Sequence, residues 1–333
     1  MVSRSKPAFT IVELLVVIVV IGILAAITVV SYTGISQKAI VSSLQTDLTN
    51  ASKLLKMDQV INSAYPATLA AANGGKGIPS SSDTTYQYVF NNSITPPGFC
   101  ITATKSFTTY KVTENTAPEI GDCTDYGLVL YLDAGNTASY PSPFTGTTWY
   151  DLSGMGNNAS LVNGVTYSGI NGGSLLFDGV DDYGYVSSNF FQKTQNEFTI
   201  EIVSNSLFQL VTRGGSGGWW TTTNQFTLGV IADYPLSYAF NSNTPYIINY
   251  IINKSNLSRY INGVLTDNIN ISQNRSSSML NLMYFNVFLN SNSSIRAGTY
   301  LNSAIYSIKI FDRAINDFEV TNNFNNLKAR YGL

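Results

Sequence analysis

The 333-residue sequence contains no histidine, which removes imidazole-based catalysis and most zinc coordination from consideration. The chemistry left is that of carboxylates, thiols and aromatic rings. Asp178, Asp181 and Asp182 in FDGVDDY form the densest carboxylate cluster. Oxygen ligands so spaced suit Ca²⁺; the same residues also suit Asx turns around Gly179, and turn chemistry is the preferred reading. A second pair, Glu197 and Glu201 in EFTIEI, shares one strand face because side chains alternate with period two. Trp219 and Trp220 stand in RGGSGGWWTTTNQF, where a Gly/Ser loop can present a flat aromatic platform to sugar rings or to a protein partner. Cys100 and Cys123 are the only two cysteines. They make either a disulfide formed outside the cytoplasm, contributing about 3 kcal/mol by loop closure, or two buried free thiols. Finally, Glu13 is the one charged side chain between Lys6 and Lys38. A carboxylate at membrane depth costs on the order of 3 kcal/mol, so its place in an apolar run implies a role.

The elements that carry these residues follow from patterning. The first eight residues, MVSRSKPA, are short and basic, and an apolar run follows from Phe9 to Val30. A secretory signal would end in a small-residue cleavage site and polar sequence. Here the run continues into further helical sequence and reads as a retained span of bilayer length, residues 9–30. Ile40, Leu44, Leu48, Ala51 and Leu55 then recur at helical spacing, one apolar stripe of a helix reaching Asp58. The Gly/Pro/Ser-rich stretch from Ala71 to Asp83 ends the helical region. TTYQYVFNN, GFCITATK and FTTYKVTE predict three short antiparallel strands, which with the helix make a small head over residues 59–125. From Tyr126 ten or more strand-like runs separated by Gly/Asn/Ser turns predict a β-sandwich or jelly roll over residues 126–333. Charged residues are only 11% of the chain and the formal net charge is −2. That balance suits a neutral, extracellular all-β protein and disfavours nucleic-acid binding.

The segment KPA-FTIVELLVVIVVIGILAAI resembles the cleavage and N-methylation motif of type IV pilins and pseudopilins. The resemblance implies cutting by a prepilin peptidase after Ala8, N-methylation of Phe9, and pairing of Glu13 with the terminal ammonium of a neighbouring subunit's Phe9 in the filament core. Residues 1–8 are then a leader. Two positions depart from the family: Ala8 stands where Gly is usual, and no Pro stands near Val30. Gly22 occupies the place of the other usual helix-breaker, so the helix is expected to loosen near Gly22 less than in Pro-bearing relatives. The CITATKSFTTYKVTE…GDC region resembles the head of compact bacterial pilins, stapled by Cys100 and Cys123.

The phrases GLVLYLDA, WYDLSGMGNNASLVNGVTY, GSLLFDGVDDYGYVSS, YINGVLT and IYSIKIFDRAINDFEV, in that order, resemble the laminin G-like / concanavalin A-like sandwich. That fold hosts sugar binding, protein binding and hydrolysis alike. Trp149 and Asp151 are read as core and turn residues, and Asn262-Gly263 as a type I′ hairpin turn. The acidic triplet of sandwich glucanases fails because Thr199 separates Glu197 from Glu201, so no enzymatic activity is expected. The expected fold is therefore an α+β pilin followed by an all-β sandwich. The expected function is a pilus subunit that polymerises with copies of itself and displays a lectin-like domain for a glycan or surface protein. The alternative is a minor pilin or pseudopilin of a secretion or DNA-uptake system. Its partners are the inner membrane before assembly, the prepilin peptidase and the pilus assembly machinery; no cofactor is required, with Ca²⁺ in the sandwich as the alternative.

Overall fold

The structure, a computed structural model, describes residues 11–92, 96–187, 197–205, 210–212, 225–226, 236–237, 244–270, 282–285, 287–289 and 295–333. Within these, side chains are not described for 26–34, 210–212, 225–226, 236–237, 282, 287–289 and 295–299. The chain divides into two compact units, Met1–Phe90 with Pro97–Cys123, and Asn91–Pro96 with Thr124–Leu333.

In the first unit, α1 is one 52-residue helix, Ile11–Asn62. It passes the expected end at Asp58 and stops where Ser63 turns to a left-handed φ of 58°. The predicted stripe is its packed face: Leu44, Leu48, Ala51 and Leu55 are fully buried. They lie against Phe99, Ile101, Ala103, Tyr110 and Val112, and each leucine so buried contributes about 2 kcal/mol. The partner sheet is a meander of β1 (Thr85–Asn91), β2 (Gly98–Lys105), β3 (Thr108–Thr113) and β4 (Glu119–Ile120), in that order. The two-residue β4 is a strand beyond the three expected, too short to carry an alternating pattern.

Two helix carboxylates tie down the glycine-rich connection. Asp47 accepts hydrogen bonds from the Ser81 amide at 3.1 Å and the Ser81 hydroxyl at 2.9 Å. Asp58 accepts from the Asn73 amide at 2.6 Å. Cys100 and Cys123 are joined by a disulfide, with their Cα atoms 5.8 Å apart.

The second unit is a sandwich. Its strands are β5 (Leu128–Asp133), β6 (Thr148–Trp149), β7 (Ala159–Val162), β8 (Thr166–Ser168), β9 (Ser174–Asp178), β10 (Tyr183–Ser187), β11 (Glu197–Ser204) and β12 (Leu210–Thr212). They continue with β13 (Gln225–Phe226), β14 (Leu236–Ser237), β15 (Tyr246–Asn253), β16 (Asn256–Ile261), β17 (Val264–Asn270), β18 (Leu282–Phe285), β19 (Val287–Leu289), β20 (Ile295–Tyr300) and β21 (Asn302–Phe311). A larger sheet runs β17-β16-β15-β11-β21-β9-β8, with β5 also on β21; a smaller one runs β12-β18-β10-β7-β6. β21 serves two partners along its length, β9 from Asn302 to Ile305 and β5 from Ser307 to Phe311.

The inner faces meet in one core. Trp149, Val186, Met283 and Phe285 from the smaller sheet pack with Phe177, Phe198, Ile200, Ile202, Tyr250 and Ile308 from the larger. Gly184 is required at the centre of β10: a Cβ there would stand 2.1 Å from the Phe285 ring. The Asn262-Gly263 hairpin has φ of 51° and 77°, as a type I′ turn demands.

The larger sheet is covered on its outer face too, by α2 (Asp317–Tyr331). Phe324, Leu327 and Tyr331 of α2 pack with Val203, Ile247, Ala304 and Tyr306. This second layer explains why β11 and β15 are buried almost throughout rather than at alternate residues. The start of α2 is fixed by a capping box between Asn316 and Glu319, and Gly332 closes its end with a left-handed φ of 71°.

Candidate functional site

Glu13 lies in the first turn of α1 and its side chain is exposed. The apolar residues around it, from Ile11 through Leu24, are 48% to 84% exposed. Because they are consecutive, they cover every face of the helix, and the rest of the described chain covers none of those faces. An apolar surface of this kind is settled by lipid or by other helices. Gly22 sits inside the unbroken helix with nothing within 4 Å of where a Cβ would stand. Among the described residues no helix is long and apolar enough to cross a membrane; the expected span 9–30 extends beyond the described side chains at both ends. Ala8 and Phe9 lie outside the described residues.

The aspartate cluster sits on the connection between β9 and β10. Asp178 Oδ1 accepts from the amides of Val180 at 2.7 Å and Asp181 at 3.3 Å, an Asx turn around Gly179 at φ 77°. These amides, Val180 first, hold the exposed Asp178 carboxyl below its ordinary pKa. Asp182 is 3% exposed; its Oδ2 accepts from the Asp178 amide at 3.1 Å, while its buried Oδ1 has no hydrogen-bond partner. Burial first, then the charges of Asp178 and Asp181, push the Asp182 carboxyl above its ordinary pKa. One oxygen from each of the three aspartates falls within 4.8 Å of the others. Beside the cluster lies a cleft of about 420 Å³, lined by Gly164, Thr166, Asn205 and Asn302 as well as Asp178 and Asp182.

A third feature was not singled out from the sequence. On the outer face of the smaller sheet, Tyr183 and Tyr185 of β10 and Tyr284 of β18 stand side by side, each partly exposed. Their ring centroids are 5.8 Å apart for Tyr185–Tyr284, 6.3 Å for Tyr183–Tyr284 and 6.5 Å for Tyr183–Tyr185. Tyr300 adds a fourth ring, 6.4 Å from Tyr183. Burial and the neighbouring phenols together raise the Tyr183 pKa above its ordinary value. The signal was available in DYGYVSS, where Gly184 and Val186 alternate inward and leave both tyrosines outward. Pairing with Tyr284 needs the register across strands, which sequence patterning does not supply.

Trp149, Asp151 and Glu201 hold structural positions. Trp149 is fully buried, and Asp151 accepts from the amides of Tyr131, Ser153 and Asn157, all at 2.9 Å. Glu201 is buried beneath α2, where it meets Lys309 at 3.3 Å and accepts from Asn249 at 2.9 Å and Asn323 at 3.2 Å. Trp219 and Trp220 lie outside the described residues.

Residues 3–29 match the prokaryotic N-terminal methylation motif. No curated protein matches the chain in sequence. Similar solved structures include the binding domain of botulinum neurotoxin DC in complex with SialylT, at 16% identity and TM-score 0.45, covering 61% of this chain and 52% of that one. Another is of botulinum neurotoxin type C, whose cell entry is dependent upon interaction with two ganglioside molecules; it has 18% identity and TM-score 0.47 over 61% and 52% of the two chains. The botulinum neurotoxin serotype C1 binding domain has 18% identity and TM-score 0.45 over 61% and 53%. This chain spans about half the length of those structures, and its sandwich is established by its own sheets and core.

Proposed function

We propose that this chain, which carries the prokaryotic N-terminal methylation motif, is a type IV pilin-like subunit that polymerises through α1 and displays its sandwich for adhesion to a glycan or surface protein. It acts by assembly and binding rather than catalysis. The prepilin resides in the cytoplasmic membrane, is cut after Ala8 and methylated on Phe9, and then enters an extracellular filament.

The observation that carries this reading is the uncovered apolar stretch of α1 from Ile11 to Leu24, with a single carboxylate in its first turn. Covering apolar side chains is worth on the order of 1 kcal/mol or more each. Summed over Ile11 to Leu24, that exceeds the few kcal/mol a carboxylate costs in an apolar setting. Pairing Glu13 with the terminal ammonium of the next subunit removes the cost and sets the register between them.

Replacing Glu13 by Ala tests this. Filaments recovered by shearing should be lost, while the protein stays in the membrane fraction with a folded sandwich. Normal filament yield from Glu13→Ala would contradict the assembly role.

In the sandwich we propose Ca²⁺ at Asp178, Asp181 and Asp182, supported by the buried, unpartnered Oδ1 of Asp182. Ca²⁺ supplies the positive charge that three adjacent carboxylates lack.

A further inference from the structure

The two outer faces of the sandwich differ. The larger sheet is roofed by α2, whereas the described outward residues of the smaller sheet are Thr148, Ser160, Val162, Tyr183, Tyr185, Ser187 and Tyr284. None of them is charged. They are joined in register: Tyr185 stands opposite Ser160 on β7 and opposite Tyr284 on β18. The result is a row of rings edged by hydroxyls on a rigid sheet.

Such a face is matched by one class of ligand. A pyranose ring presents axial C–H groups that stack on an aromatic face and equatorial hydroxyls that exchange hydrogen bonds with Tyr and Ser hydroxyls. Ring centroids about 6 Å apart keep neighbouring tyrosines in contact with one or two adjoining sugar units. The absence of charge among the described residues of this face selects further. A carboxylated sugar would lose hydration there without a cation to replace it, while a neutral one would not.

We propose that the tyrosine face of the smaller sheet, Tyr183, Tyr185 and Tyr284, is a binding site for neutral oligosaccharides. The site rests on the adhesive reading and names its ligand class and contact residues. Tyr185 is the central contact, since it lies between Ser160 on β7 and Tyr284 on β18 across the ladder.

The test uses the full chain in a detergent that carries no sugar headgroup, applied to an array of neutral and sialylated oligosaccharides. Binding to neutral hexose oligosaccharides is expected, with weaker or no retention on their sialylated forms. Tyr185→Ala and Tyr284→Ala should each weaken binding roughly tenfold, and Tyr185→Trp should keep it. Should an alanine variant not fold, tyrosine nitration of the unaltered protein decides the matter. Bound oligosaccharide should then protect Tyr183, Tyr185 and Tyr284 from modification.

Neutral-glycan binding that survives Tyr185→Ala, or that leaves these tyrosines open to nitration, overturns this site while leaving the adhesive reading standing. Preference for sialylated glycans overturns the ligand class. Binding to a surface protein but to no glycan overturns the glycan site and keeps adhesion. Binding to neither removes both.

Discussion

The two long helices of this protein illustrate opposite uses of an apolar surface. α2 is settled within its own unit. Its start is capped by Asn316 and Glu319, and Arg313 makes a forked pair with Glu319. Near its end Arg330 grips the buried Asp133 through both guanidinium nitrogens, at 2.6 and 2.5 Å. Its apolar residues meet the sheet below. α1 has a stretch of the same kind, with Leu44, Leu48, Ala51 and Leu55 buried, and another from Ile11 to Leu24 that nothing described in the chain covers. Packing of the first sort serves the fold of one molecule. An apolar surface left open over four turns serves contact with lipid or with other molecules.

This contrast can be broken from either side. The largest effect is expected at Glu13, where the alanine variant should be all-or-none for filaments and nearly silent for folding. The reciprocal change is Arg330→Ala, which leaves Asp133 buried without its cation. It should destabilise the sandwich by about 3 kcal/mol, lowering its Tm by roughly 10 °C, without changing the exposed apolar surface of α1. Thermal unfolding followed by near-UV circular dichroism, beside filament yield at a temperature where the variant is folded, separates the two. Loss of filaments from the folded Arg330→Ala protein would show that the helices are not independent in function.

A smaller effect belongs to Asp182. Its folded-state pKa is raised, so the carboxyl favours folding fully below the ordinary carboxylate range, and that contribution is lost as pH rises through the raised value. In Ca²⁺-free buffer Asp182→Asn should therefore match or exceed the parent Tm at neutral pH, with the difference fading toward about pH 4. Added Ca²⁺ should raise the Tm of the parent by binding only the folded state, and should leave Asp182→Asn unmoved. A Ca²⁺ response of equal size in both proteins would leave the aspartates as turn residues alone.

Much of this was legible in the sequence for physical reasons. The stripe from Ile40 to Leu55 repeats with helical period and is the buried face of α1. The Asp151 bonds to Ser153 and Asn157 and the Asn262-Gly263 turn are local and follow from neighbouring residues. What patterning missed depends on distance along the chain. The Asp47 bonds to Ser81, and the meeting of Tyr185 with Tyr284, require register or packing between segments far apart in sequence. β11 looked like a strand with paired carboxylates, yet Glu201 faces Lys309, Asn249 and Asn323 under α2. Only the covering helix, 122 residues away at Asn323, reveals that its charge is compensated and inside.

The fate of the N-terminus can be read by mass spectrometry of filaments sheared from the producing cells. The filament subunit is expected to begin at Phe9 and to carry one added methyl group on its terminal nitrogen. A filament subunit that still begins at Met1, or cells that make the protein yet yield none of it in sheared filaments, would contradict it.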